Sequence, residues 1–240
     1  ECLQHANLDG QTDLFSLGAT LYFALTGQNA YSAHSMFGLR EAWLNPPPAP
    51  SQLVPSIPPA LDQLVLALLA LDTNERPRSA IEVYERVLSI DAEDAGALDK
   101  LIQLHLRLRQ WEKLLAVYGR KADVVADPEE KKHLYLEVGT VYERELRQPE
   151  KAIETYQRVL DLDPDDMAAL SQLDALYQST DRSEDLLAVL EREAELSSDP
   201  MRALDFRYRI GELHEQKLND AFRAVEVYRE QIRLYAAAVS

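Results

Sequence analysis

The last two thirds of the chain repeat themselves at a fixed spacing of 72 residues. The segment AIEVYERVL at 80–88 returns as AIETYQRVL at 152–160, and its first, third and fifth residues return again within 224–228. The segment LLAV at 114–117 likewise returns at 186–189. Half of this spacing, about 36 residues, lies in the range of helix–turn–helix repeats. The chain is therefore predicted to stack pairs of helices.

Within one unit the residues follow the order small, aromatic, alanine, aromatic, proline, as Gly139, Tyr142, Ala152, Tyr156 and Pro164. This order resembles the tetratricopeptide repeat (TPR), with one extra residue in the turn near Gln148–Pro149, and the resemblance extends over about 80–235. It implies that Gly139 and Ala152 let two antiparallel helices approach closely, while Pro164 ends the unit. Since such a unit cannot cover its own apolar face, the resemblance implies an α-solenoid with a concave groove.

The residues before the repeat follow a different pattern, with an apolar helix and a proline-rich stretch. Residues 13–26, DLFSLGATLYFALT, are apolar nearly all round but too few to span a membrane, so they predict the central helix of a larger core. A short helix is expected near 36–44, and an amphipathic helix near 60–70. We interpret the prolines of 46–59 as a structural loop, with a partner-binding polyproline segment as the alternative.

Three matches in this first part resemble the lower half of the C-lobe of bacterial-type serine/threonine protein kinases. Glu1 stands where the Glu of the Ala-Pro-Glu motif belongs, DLFSLG at 13–18 matches the central helix, and NERP at 74–77 matches the late Arg-Pro motif. The resemblance implies an ion pair between Glu1 and Arg76 and structural roles for Asp13 and Gly18. Asp13 would accept hydrogen bonds from a catalytic loop, which this chain does not contain.

The groups that carry out phosphoryl transfer in that family do not occur in this sequence. It has no G-x-G-x-x-G, no GKS or GKT, no HRD and no DFG motif. We therefore expect no catalytic residue, no metal site and no cofactor in this chain, and ATP with Mg²⁺ only in a complete parent kinase whose catalytic residues lie upstream of residue 1. Two functions stay open: a TPR interaction scaffold attached to a kinase remnant, or the C-terminal part of an active serine/threonine kinase.

The expected organisation is all-α, with a partial kinase C-lobe over 1–79 and a TPR-like solenoid over 80–240. The two domains are expected to share the helix that begins near Ser79, because no Gly/Ser-rich or Pro-rich linker lies between Arg78 and Asp91. Without the upstream helices of the kinase family, the side chains of Leu14, Phe15 and Leu21 are expected to be partly exposed.

The net charge of −16 restricts the classes of partner. It opposes the phosphates of nucleic acids and of anionic lipids, so we expect neither nucleic acid nor a membrane as a partner. Cys2 is the only cysteine, which excludes an internal disulfide, and the longest apolar run, 64–71, is too short to cross a bilayer. These features predict a cytoplasmic protein.

One acidic segment and the histidines carry side-chain types that can bind metal ions. Asp161, Asp163 and Asp165 begin like a calcium loop, but Asp166 stands where Gly is required and Gln172 where a bidentate Glu is required. We interpret the segment as a helix-capping turn with Asp165 or Asp166 as the N-cap. The five histidines and Cys2 lack metal-ligand spacing.

In the repeat family the groove is lined by the first helix of each unit. The corresponding side chains here are long, mostly polar and of mixed sign: Gln103, Arg107, Thr140, Glu143, Arg144, Gln178, Glu212, Glu215 and Gln216. This pattern predicts a basic or mixed-charge protein or peptide partner and disfavours a carboxylate clamp. The alternative is a spacer with a solvated face.

Overall fold

The computed structural model describes residues 10–32, 38, 42 and 45–239. Within these ranges the regular structure is helical and no residue lies in a β-strand, which confirms the predicted all-α fold. The chain divides into two units between Val124 and Val125. The predicted domain boundary at residue 79 stays a prediction. The short helix expected near 36–44 lies largely outside the described residues.

The first unit contains α1 (Gly10–Thr26), α2 (Pro50–Leu53), α3 (Pro59–Leu68), α4 (Ala80–Ile90), α5 (Ala95–Arg107) and α6 (Trp111–Val124). The second contains α7 (Pro128–Thr140), a π-helical turn (Val141–Glu145), α8 (Pro149–Leu162), α9 (Met167–Ser179), α10 (Ser183–Leu196), α11 (Pro200–Gln216) and α12 (Ala221–Val239). In the second unit each helix packs mainly on the next one along the chain, as short connections between antiparallel helices require.

Helix α1 packs on α3 through one face. Leu14, Gly18 and Tyr22, spaced at four residues, are buried, and a β-carbon at Gly18 would lie 2.7 Å from Cβ of Leu68. Gly18 therefore permits the close approach of α1 and α3. On the opposite side of α1, Leu17 and Phe23 are exposed. The expectation of partial exposure is wrong for Leu14, which is buried, whereas Phe15 and Leu21 are partly exposed, as expected.

The proline-rich segment is fixed to the helices around it. Pro50 and Pro59 occupy first-turn positions of α2 and α3, where the missing amide hydrogen costs nothing. The Tyr22 hydroxyl donates to the carbonyl of Pro48 over 3.0 Å, and the Ser51 amide donates to Asp62 Oδ1 over 2.9 Å.

Helix α4 contributes side chains to two hydrophobic clusters. Val83 packs with Leu14, Leu64 and Leu68, whereas Leu88 packs with a cluster from α5 and α6 that includes Leu98, Leu101 and Val117. Ser79 caps the helix by accepting a hydrogen bond from the Glu82 amide. The same helix thus serves the core of α1 and α3 and the core of the helices that follow it.

The second unit has one continuous core, and the repeated glycines stand against the repeated tyrosines. A β-carbon at Gly139 would overlap the ring of Tyr156, and one at Gly211 would overlap the ring of Tyr228. Tyr156 itself is fully buried. The core is formed by α8, α9, α10 and α11, through residues that include Ala152, Ile153, Tyr156, Leu170, Leu173, Leu190, Phe206 and Ile210.

The ends of the helices also recur with the sequence repeat. The first helix of each pair is capped by an aspartate side chain, at Asp94, Asp127, Asp166 and Asp199. The turn between the helices of each pair contains a residue with positive φ, at Arg109, Arg147, Asp181 and Asn219.

The extra residue expected near Gln148–Pro149 is accommodated by a widened turn. The Gln148 amide donates to the Tyr142 carbonyl over 2.8 Å, and the Asp220 amide donates to the His214 carbonyl over the same distance. Both bonds span six residues, whereas the corresponding bonds of the other two turns, from Gln110 to His105 and from Arg182 to Tyr177, span five. The wider turns thus contain one additional residue, and the first of them includes the π-helical turn. The turns at 147 and 219 are therefore wider than those at 109 and 181, although all four belong to the same kind of repeat.

The acidic segment at 161–166 is a capping turn, as predicted. Asp166 accepts a hydrogen bond from the Ala169 amide over 2.9 Å and is the N-cap of α9. The Lys132 ammonium lies 2.9 Å from Asp163 Oδ2 and 3.2 Å from Asp166 Oδ2. Its hydrogen bond lowers the pKa of Asp163. A lysine thus occupies the centre of this acidic turn.

Candidate functional site

A cavity of about 300 Å³ opens between α9, α10 and α11 in the second unit. Its floor is apolar and consists of Leu186, Leu190 and Leu213. Its rim carries both charges and amides: Gln178, Asp181, Arg209, Glu212, Gln216 and Lys217. An apolar floor with a few polar groups around it is the usual composition of a binding pocket.

Each of the two cationic side chains at this rim forms an ion pair. Arg209 donates two hydrogen bonds to Asp174, from Nη1 to Oδ2 over 2.7 Å and from Nη2 to Oδ1 over 2.5 Å. The Lys217 ammonium lies 2.8 Å from Asp181 Oδ1, and both of these side chains are exposed. Because the Arg209 pair is more buried, it is less screened by solvent than the Lys217 pair.

Glu193 is a buried acid on α10, near the Arg209 pair. Its side chain is 2% exposed, and Oε2 has no hydrogen-bond partner. Burial raises the pKa of Glu193 to about 7, and the negative charge of Asp174 acts in the same direction. Arg209 and Arg202 oppose this shift. Glu193 therefore changes its charge close to neutral pH.

Of the nine groove positions expected from the sequence, seven lie in the second unit. Gln178, Glu212 and Gln216 line the cavity. Glu143 accepts a hydrogen bond from the Tyr156 hydroxyl over 3.1 Å, and Thr140 lies 3.4 Å from the same hydroxyl. Glu215, at the position equivalent to Glu143, accepts from the Tyr228 hydroxyl over 3.2 Å. The exposed side chains of Arg144, Gln103 and Arg107 complete the set, the last two in the first unit.

The residues predicted from the sequence did not include Arg209, Asp181, Lys217 or the apolar floor. Arg209 stands three residues before Glu212 and seven before Gln216, so helical spacing alone places it on the same face. The positions of Asp181 and Lys217 depend on the turns that follow α9 and α11, and the sequence gives no comparable signal for them.

Of the kinase-like residues, Arg76 has the most contacts. It is buried, donates from Nε to the Ala70 carbonyl over 2.6 Å and from Nη1 to the Gln11 carbonyl over 2.9 Å, and lies above the ring of Phe15 at 5.0 Å. Asp13 lies exposed in the first turn of α1. Glu1 lies outside the described residues, so its ion pair with Arg76 stays a prediction.

The described part of the chain lacks a metal-binding cluster and a membrane span. It contains no group of three or more His, Cys, Asp or Glu side chains that could hold a metal ion. Its helices include none that is long and apolar enough to cross a bilayer.

The chain is similar to bacterial serine/threonine protein kinases over part of its length. It is 31% identical to the serine/threonine-protein kinase PksC of Streptomyces coelicolor over 96 residues, which are 40% of this chain and 17% of PksC. It is 32% identical to Pkn1 of Myxococcus xanthus over 84 residues, which are 35% of this chain and 12% of Pkn1. The chain therefore spans less than a fifth of the length of these relatives.

Solved structures with a similar arrangement of helices include MamA and YrrB, the latter described as a TPR protein with an unusual peptide-binding site. MamA has a TM-score of 0.43 at 18% identity, over 67% of this chain and 89% of MamA. YrrB has a TM-score of 0.42 at 21% identity, over 73% of this chain and 86% of YrrB.

Residues 133–166 match the family model of the tetratricopeptide repeat. The match includes Gly139, Tyr142, Ala152, Tyr156 and Pro164, in the order expected from the sequence. In the structure it spans α8 together with most of α7 and the π-helical turn. The segment 133–166 of this all-helical chain is a tetratricopeptide repeat.

Proposed function

We propose that the chain is a protein–protein interaction scaffold that holds a segment of another protein in the cavity between α9, α10 and α11. The observation that carries this proposal is the composition of the cavity, with Leu186, Leu190 and Leu213 at its floor and amides and charges at its rim. Enclosure of a bulky apolar side chain by such a floor supplies most of the affinity in this kind of recognition, while the rim selects the flanking residues.

The charges of the rim define the chemistry of the partner. The rim carries two cationic side chains, Arg209 and Lys217, and two anionic ones, Asp181 and Glu212, so it is balanced in sign. The chain as a whole is strongly acidic, which attracts cationic segments over longer distances. The partner is therefore a peptide or helix with one large apolar side chain between residues of mixed or net positive charge.

Three labelled peptides of equal length test this proposal: each has a central Phe, and the flanking residues are basic, mixed or acidic. Fluorescence anisotropy of the purified chain should give tighter binding for the basic and mixed peptides than for the acidic one. The double variant Gln178→Ala/Gln216→Ala should weaken binding about tenfold, which is about 1.4 kcal/mol. Glu191→Ala is the matched control, because Glu191 is exposed on α10 away from the cavity.

Two results would contradict this assignment. Equal affinity for all three peptides would show that the rim does not select the flanking residues. Equal affinity of the double variant and the Glu191→Ala control would show that the peptide binds outside the cavity. Circular dichroism of each variant establishes that the helices are retained.

For residues 1–79 we propose a remnant of a serine/threonine kinase C-lobe that stabilises the chain without phosphoryl transfer of its own. The partial identity to PksC and Pkn1 supports this origin. The alternative is that the chain is the C-terminal part of an active kinase. Purified chain incubated with Mg²⁺ and γ-labelled ATP should transfer no label to itself or to a generic substrate, and transfer would overturn the proposal.

A further inference from the structure

The second helix of each pair has a tyrosine at a fixed distance from the turn, except in the pair that forms the cavity. The position lies nine residues after the positive-φ residues 109, 147, 181 and 219, and it is occupied by Tyr118, Tyr156, Leu190 and Tyr228. In the pair α9–α10 the residue is thus a leucine, and this leucine lines the cavity. The cavity therefore adjoins the one position of the four at which the chain supplies no tyrosine ring of its own.

In two of the other pairs the tyrosine hydroxyl has an acceptor on the first helix of the same pair. Tyr156 donates to the Glu143 carboxylate over 3.1 Å, and Tyr228 donates to the Glu215 carboxylate over 3.2 Å. Each ring also occupies the space that a β-carbon would need at the facing glycine. A glycine, a ring and an acceptor thus recur together in the pairs α7–α8 and α11–α12.

The pair α9–α10 keeps the acceptor position without the ring. Glu143 and Glu215 each directly follow the residue whose carbonyl accepts the hydrogen bond that closes the turn of their pair. In the pair α9–α10 that carbonyl belongs to Tyr177, so Gln178 is the equivalent of both glutamates. The Gln178 side chain is exposed and lines the cavity. It therefore offers an amide oxygen where the other two pairs have a carboxylate.

Asp174 replaces the glycine in this pair, and it determines where a ring can lie. It stands three positions before Tyr177, as Gly139 stands three positions before Tyr142. Its β-carbon takes the space into which the ring extends in the pair α7–α8, and its carboxylate pairs with Arg209. A ring that reaches Gln178 in this pair must therefore lie further out, in the cavity.

The walls of the cavity suit an aromatic side chain. Leu186, Leu190 and Leu213 form the floor, and Tyr177 contributes an aromatic ring. Aromatic rings attract each other in offset and edge-to-face contacts, in addition to the effect of burying apolar area. The volume of about 300 Å³ lies at the lower end of the range for binding pockets, which suits a single side chain.

We propose that the cavity binds a tyrosine side chain of the partner, whose hydroxyl donates a hydrogen bond to the side-chain oxygen of Gln178. This inference rests on the proposed function and names the anchor residue of the bound segment. The partner's ring packs on Leu190 and makes the hydroxyl contact that Tyr156 and Tyr228 make within their own pairs. Phenylalanine can occupy the same space, but it offers Gln178 no donor and therefore binds less tightly.

Peptides that differ in one central residue test the role of the hydroxyl. They have the same length, label and mixed-charge flanks, and the central residue is tyrosine, O-methyltyrosine or phenylalanine. Fluorescence anisotropy with the full chain should show about three- to tenfold tighter binding of the tyrosine peptide than of the phenylalanine peptide, as one added hydrogen bond gives. O-methyltyrosine keeps the ring and its oxygen but cannot donate, so its peptide should bind no better than the phenylalanine peptide.

Variants of the chain then locate the acceptor. Gln178→Leu should make the affinities for the tyrosine and phenylalanine peptides equal; leucine already stands at the equivalent position of the first unit, as Leu106. Gln178→Glu should increase the preference for tyrosine, because a carboxylate accepts a stronger hydrogen bond than an amide. Gln216→Leu, on the same rim, is the matched control and should keep the preference. Circular dichroism of each variant establishes that the helices are retained.

Three results would overturn the inference: equal binding of the tyrosine and phenylalanine peptides to the unaltered chain, equal binding of the O-methyltyrosine and tyrosine peptides, or a preference that Gln216→Leu removes and Gln178→Leu does not. If the two peptides bind equally and Gln178→Ala/Gln216→Ala still weakens both, the proposed function stands and only the tyrosine anchor is wrong. If none of the peptides binds the unaltered chain, the proposed function is wrong as well.

Discussion

The guanidinium of Arg209, which lines the cavity, faces the carboxylate of Asp174 with two parallel hydrogen bonds, which join α11 to α9. This geometry requires the planar fork of arginine, since lysine can supply only a single point charge. Both side chains are largely shielded from solvent. The pair therefore links two first helices of successive repeats that are otherwise joined through α10.

We expect Arg209→Lys to lower the free energy of unfolding by about 1–2 kcal/mol, because one of two charge-assisted hydrogen bonds is lost. Arg207→Lys, on the same helix, is the control and should change stability by less than about 0.5 kcal/mol. Urea unfolding followed by circular dichroism measures both. Equal midpoints for the two variants would show that the bidentate geometry contributes nothing to stability.

Glu193 should make stability depend on pH. Its pKa is about 7 in the folded chain and close to the ordinary value of 4.5 when unfolded, so the folded state holds the proton more tightly. The stabilisation is complete below the unfolded pKa and is lost as pH rises through the folded pKa, a change of at most about 3 kcal/mol.

Replacement of this acid should remove that dependence. Glu193→Gln should unfold at a nearly constant urea concentration between pH 5 and pH 8, a range that spans the pKa of about 7. Glu191→Gln, an exposed acid on the same helix, should keep the decline seen for the unaltered chain. A decline that persists in Glu193→Gln would assign the effect to another group.

The contact between Gly139 and Tyr156 predicts opposite effects for two Gly→Ala changes. Gly139→Ala forces a β-carbon into a buried ring and should cost about 1–3 kcal/mol by overpacking. Gly119→Ala meets open space on α6 and should stabilise by about 0.5–1 kcal/mol, because alanine loses less backbone entropy in a helix. Thermal unfolding distinguishes the two, and a stabilising Gly139→Ala would contradict the role of this glycine in helix packing.

Gly18→Ala tests the first unit in the same way. The added β-carbon would lie 2.7 Å from Cβ of Leu68, which cannot move without its helix, so α1 must shift away from α3. We expect a loss of about 1–3 kcal/mol. Hydrogen exchange should locate the effect as faster exchange of amides in α1 and α3. Unchanged exchange rates in both helices would show that the close approach of α1 and α3 at Gly18 does not contribute to their stability.

The sequence was sufficient for the parts of the fold that depend on spacing. The order from Gly139 to Pro164 predicted the helix pair and the close approach that Gly139 and Tyr156 make. The acidic turn at 161–166 was identified because a calcium loop needs a glycine where Asp166 stands. These features are local, and a residue type alone determines them.

Other features depend on which side chains meet from different helices. Spacing indicated an extra residue near Gln148–Pro149, but not the π-helical winding at 141–145 just before it, since an extra residue can be absorbed anywhere between two anchors. The cavity required the turn after α9 to bring Asp181 towards Lys217. Glu193 lies on the apolar stripe of Leu186, Leu190 and Ala194, where an acid is unexpected, so its burial can be predicted from helical spacing.

The spacing of the positive-φ turn residues restricts how the array of helix pairs can be lengthened. They fall at 109, 147, 181 and 219, so long and short intervals of 38 and 34 residues alternate. Duplication of a single helix pair would place two pairs with the same interval next to each other, whereas each pair in the chain adjoins one with the other interval. A block of 72 residues is the smallest duplication that preserves the alternation, and grafted segments should be cut to that length.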